Sequence, residues 1–67
     1  MEWTFDLANL RMSSGKYSAS LWRGQKGQYY VMSVISANED LGVVETERVA
    51  KDARAALARR LAGRKGR

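Results

Sequence analysis

Residues 16–36 read KYSASLWR, then GQKG, then QYYVMSVIS. Two runs rich in Tyr, Val, Ile and Trp flank Gly24-Gln25-Lys26-Gly27, the composition of a strand, a tight loop and a returning strand. A four-residue loop places Arg23 opposite Gln28, and the register follows. Leu21 then faces Tyr30, Ala19 faces Met32 and Tyr17 faces Val34 on one side. Trp22 faces Tyr29 and Ser20 faces Val31 on the other. The first set reads as a core face. The second is a sheet surface carrying one Trp, one Tyr and several Ser.

Upstream, Trp3, Phe5 and Leu7 alternate with Thr4 and Asp6, the period of a half-buried strand. The phase slips before Leu10 and Met12. A bulge near Ala8-Asn9 explains the slip, and so does a strand that ends there. Ser13-Ser14-Gly15 is a turn. Downstream, Asn38-Glu39-Asp40 ends the third strand. Thr46 is a good N-cap, with Glu47 in the first turn where it suits the helix dipole. Val49, Ala50, Ala53, Ala56, Leu57 and Leu61 share one stripe at helical spacing, opposite Arg48, Lys51, Asp52, Ala55, Arg59 and Ala62. Gly63 fits a C′ terminator. The predicted architecture is α+β: a three-stranded antiparallel β-meander packed by one C-terminal helix, over residues 1–63. Residues 64–67 read as a basic disordered tail.

The chain has 67 residues and a formal charge of +5, with no Cys, His or Pro. That length holds one small domain. Without Cys there is no disulfide and no thiolate zinc site, and without His the commonest general base is missing. The adjacent pair Glu39-Asp40 reads as a solvated turn, and Gly24-Gln25-Lys26-Gly27 lacks the spacing of a phosphate-binding P-loop. An enzyme, a metal or a cofactor is therefore not expected. No apolar run reaches the ~20 residues of a membrane span, and Met1-Glu2 does not resemble a signal peptide. The expectation is a cytoplasmic binding module.

Charge is uneven along the chain. Residues 1–46 carry four Lys/Arg against five Asp/Glu, whereas residues 47–67 carry eight against two. A basic C-terminal third points to an acidic partner, most often nucleic acid, DNA or RNA. Arg48, Lys51 and Arg59, with Arg54 at the flank, are candidate phosphate contacts along the outer helix face. The plainer reading of this face is a solvated one. Trp22 and Tyr29 with Lys16, Arg23 and Lys26 form a second candidate surface, combining flat rings with positive charge. Its plainer reading is a cross-strand aromatic pair, or a surface buried in a homodimer. The third strand is apolar on both faces, which also favours self-association.

Leu41-Gly42-Val43-Val44-Glu45-Thr46, followed by Ala50 and Ala53, is similar to the strand-to-helix junction of AP2-type DNA-binding modules, whose fold the phage-integrase arm-binding domains share. The resemblance implies that Gly42 turns the chain, Thr46 caps the helix, and Ala50 and Ala53 seat it on the sheet. Gly15-Lys16-Tyr17 matches the family's Gly-Lys-aromatic at the second strand. The exposed sheet face of that family enters the major groove, which would put Lys16, Trp22 and Arg23 on or beside the reading surface. A second stretch, Glu47-Arg48-Val49-Ala50-Lys51, resembles the Lys-Lys-x-Ala-Lys start of the last helix of double-stranded-RNA-binding domains. There it implies phosphate contacts at Arg48 and Lys51, with Glu47 standing in place of the first Lys. The leading expectation is a small nucleic-acid-binding module acting through its helix. The alternative is a protein-interaction module, such as a small phage-encoded inhibitor, docking on an acidic or nucleic-acid-binding surface of a partner complex.

Overall fold

A computed structural model provides the structure and describes residues 1–65, with side chains described through Gly63. The chain is α+β, with β1 (Thr4–Asp6), β2 (Arg11–Ser14), β3 (Tyr17–Arg23), β4 (Tyr29–Ser36) and α1 (Val43–Lys65). The sheet is antiparallel in the order β1-β2-β3-β4. It has four strands where the sequence predicts three. The phase slip after Leu7 is a reversal: Leu7–Asn9 forms a single 3-10 turn, and Asp6 accepts a hydrogen bond from Asn9 Nδ2 at 2.9 Å. Leu10 closes the turn in the left-handed region at φ 58°, a conformation that costs a non-glycine residue about 1–3 kcal/mol. Its carbonyl accepts from Leu21 N–H at 2.8 Å, which ties the turn to β3.

The central hairpin corrects the expected register by one residue. Gly27 turns the chain at φ 86°, Gly24 N–H donates to Gln28 C=O, and the loop therefore spans five residues. Arg23 pairs with Tyr29, Trp22 with Tyr30 and Leu21 with Val31. An odd loop reverses facing, so Tyr29 turns toward the helix and Tyr30 toward solvent. Between Ser20 and Leu21 the register shifts again, because Met32 is an extra residue on β4. This bulge returns Val34 to the core face opposite Ala19. Trp22 lies on the face away from the helix and Leu21 on the helix side, as the sequence predicts. Met32 is exposed, contrary to its predicted core position.

The core lies between the sheet and α1. Met12 and Val49 are fully buried, with Trp3, Ala19, Leu21, Ala53, Ala56 and Leu57 around them. The predicted helical stripe is the buried one, and its alanines let α1 lie close to the strands. The helix begins three residues before Thr46, whose N–H bonds the carbonyl of Gly42. It also continues past Gly63, which is not among the described glycines with positive φ. Arg64 and Lys65, expected in a disordered tail, belong to the helix; residues 66–67 of that expectation lie outside the described residues. At ~1.5 Å per residue α1 is about 35 Å long, against about 27 Å for the eight residues of β4. The helix is therefore longer than the strand it packs on, and its first residues Val43 and Val44 are exposed.

Candidate nucleic-acid interface

The side chains proposed for binding fall at two ends of the molecule, and the ends differ in how their charges are satisfied. At one end, the start of α1 meets the start of β3. Arg48 donates from Nε to Glu45 Oε1 at 3.0 Å and from Nη2 to Oε2 at 2.5 Å, and Tyr17 O–H donates to the same Oε2 at 2.9 Å. These donors, Arg48 first and Tyr17 second, hold the Glu45 carboxyl down at about 2. The same contact raises both partners: Arg48 becomes a still weaker acid, and Tyr17 keeps its proton above the usual phenol range. Lys16 pairs with Glu39 at 2.5 Å, which raises its ammonium above the usual value, and it lies 5.5 Å from the Tyr17 ring centroid. Arg54 reaches back to Glu47 at 3.5 Å. Asp52, whose charge interrupts the basic helix face, accepts from the Trp3 indole N–H at 2.8 Å. Most of the acids near the helix are thus spent on neighbouring side chains.

The other end is built differently. From Ala53 to Lys65 the helix carries Arg54, Arg59, Arg60, Arg64 and Lys65 and no acid. Leu57, Ala58 and Leu61 border a groove with Tyr29, Tyr30 and Val31, which brings the latter half of α1 beside the start of β4. The Gly24–Gln28 loop adjoins that strand, so Lys26 at its tip and Arg23 at its base belong to the same end. Arg23 lies 5.7 Å from the Tyr29 ring centroid, and Arg60 lies 5.8 Å from that of Phe5. Arg59 is exposed, and neither it nor Lys51 makes an ion pair among the described residues. Glu2 is the acid bordering this end, in a shallow depression with Trp3, Phe5, Ala56, Arg59 and Arg60.

Arg23 and Lys26 thus lie at the hairpin loop, Arg59 on the flank of α1 beside Glu2, Trp3 and Phe5, and Lys16 and Arg48 at the helix start, the last two each in an ion pair. Trp22 and Tyr29 do not share a surface: Trp22 faces solvent opposite Tyr30, while Tyr29 is half-buried against the helix. The sequence does not single out Arg60 and places Tyr30 on the core face, whereas Arg60 lies over the Phe5 ring and Tyr30 is exposed. The signal for Arg60 was present in the acid-free run after Asp52; Tyr30 depended on the loop length. Among the described residues no cluster of three or more acidic side chains is placed to hold a metal ion, and no helix is long and apolar enough to cross a membrane. Comparison with known proteins gives no matching family model, no matching curated protein and no matching solved structure.

Proposed function

We propose that the protein binds nucleic acid, DNA or RNA, through phosphate contacts made by the acid-free half of α1 and the adjacent hairpin loop. One observation carries the reading: Lys16, Arg48 and Arg54 are each held by a carboxylate, while Arg23 and Lys26 of the hairpin and Arg59 of the helix make no ion pair among the described residues. A cation already holding a carboxylate gives up that pairing to reach a phosphate, so the open end is the better phosphate surface. Lys51, one further exposed cation on the outer helix face, extends the row toward the paired end. The contacts proposed are to phosphates, which carry no sequence information, so affinity is expected to be largely independent of sequence.

A fluorescence anisotropy assay tests this with duplex DNA, duplex RNA and single strands at two salt concentrations. Binding that weakens steeply with salt supports the reading. Failure to bind any of the three at low salt overturns it and favours the protein-interaction alternative, for which the exposed aromatic side chains of the bare sheet face are the observation in hand.

A further inference from the structure

The two edges of the sheet are unequal. β1 is three residues long and polar at Thr4 and Asp6, whereas β4 runs eight residues without a charge or a proline. Long, neutral, apolar edges are what monomeric proteins ordinarily avoid, because the unpaired backbone recruits another strand. The side chains of β4 face the helix at Tyr29, Val31, Val34 and Ser36, and solvent at Tyr30, Met32, Ser33 and Ile35. This order reads the same in both directions about the midpoint between Met32 and Ser33. The bulge creates that symmetry, since it doubles the outward position at the centre.

The backbone obeys the same symmetry. Gly24 bonds Gln28 at one end of the β3–β4 ladder, and Ala37 N–H bonds Lys16 C=O at 2.8 Å at the other. Counting alternate positions inward from these bonded pairs leaves the backbone groups of Tyr29, Val31, Val34 and Ser36 directed away from β3. A second β4, antiparallel about the midpoint, sets Val31 opposite Val34 and Tyr29 opposite Ser36. These are the positions with outward backbone groups. Tyr30 falls opposite Ile35 on the bare face, and the two bulges meet on the axis. A twofold interface demands this self-complementarity.

We infer that β4 pairs with β4 of a second copy, forming a homodimer with one continuous eight-stranded sheet. Self-complementarity favours that occupant, since the in-and-out order of the β4 side chains matches its own reverse. Because β1 is so short, association closes at two copies. The apolar side chains left exposed on a monomer, Tyr30 at 50%, Met32 at 61% and Ile35 at 63%, lie along this seam.

The inference does not rest on phosphate binding and is tested without nucleic acid. Sedimentation equilibrium of the full chain should give twice the 7.5 kDa monomer mass. Ile35→Lys, at an exposed position, should return the mass to the monomer value with an unchanged circular dichroism spectrum. The chain has no cysteine, so Tyr30→Cys with Ile35→Cys provides an independent readout. Opposed non-hydrogen-bonded residues sit ~4.5 Å apart at Cα, within disulfide reach, so mild oxidation should yield a covalent dimer. A parent protein that stays monomeric at millimolar concentration overturns the inference. So does an open-ended polymer, or a dimer that the two cysteines fail to cross-link.

Discussion

The two ends of α1 are held to the sheet by different physics. At its start, polar side chains add to the buried Val49 and Ala53: Glu45 joins Tyr17 of β3 to Arg48, and Asp52 receives the indole of Trp3. At its far end, Leu57 and Leu61 lie against Tyr29 and Val31, and the charges on the solvent side are all positive. Carboxylates that anchor the helix also neutralise its arginines. Apolar anchoring leaves the arginines available. The place where the helix is fastened without acids is therefore the place where it can attract phosphates.

Perturbing each anchor separates the two mechanisms. The largest effect is expected at the apolar end, where Leu57→Ala leaves a cavity and should cost about 2–5 kcal/mol in chemical denaturation, a large share of a small domain's stability. A midpoint unchanged from the parent would mean that the far end is not packed as described. At the polar end, Trp3→Phe keeps most of the buried ring but leaves Asp52 without its indole donor. The expected loss is about 1–3 kcal/mol by the same denaturation assay.

The smallest effect concerns Glu45 and appears as a pH dependence. Its folded carboxyl lies at about 2 against an ordinary 4.5, so its contribution is present above about 4.5 and fades as pH falls toward 2. Glu45→Gln should be less stable than the parent at neutral pH, and the gap should close on acidification through that window. A gap that persists unchanged at the acid end would show that the contribution of Glu45 is not ionic.

Much of this fold is legible in the residues themselves. The stripe of Val49, Ala53, Ala56 and Leu57 repeats at 3.6 residues and is the buried face. The alternation of Trp3 and Phe5 marks a first strand, but Leu7 already belongs to the turn that ends it, and the loss of phase at Leu10 marks the reversal into a further strand. What the sequence hides depends on single-residue choices in loops. Gly24-Gln25-Lys26-Gly27 reads as a four-residue loop, but the left-handed Gly27 carries Gln28 into it, and one extra residue exchanges the faces of Tyr29 and Tyr30. Thr46 and Gly63 resemble caps, yet a helix fastened along its length by tertiary contacts runs past both. That Arg48 and Lys16 would be held by Glu45 and Glu39 was not readable at all, because the second of these pairs joins residues 23 apart in the chain.

The central claim is that cations at the acid-free end, not those paired at the helix start, carry binding. Its most direct test is the salt dependence of duplex affinity for two variants beside the parent. Arg23→Ala with Lys26→Ala and Arg59→Ala should flatten the plot of log affinity against log salt by roughly three units, one per lost phosphate contact, while Arg48→Ala should leave the slope unchanged. A slope that the triple variant leaves intact, or that Arg48→Ala alone reduces, would contradict the account.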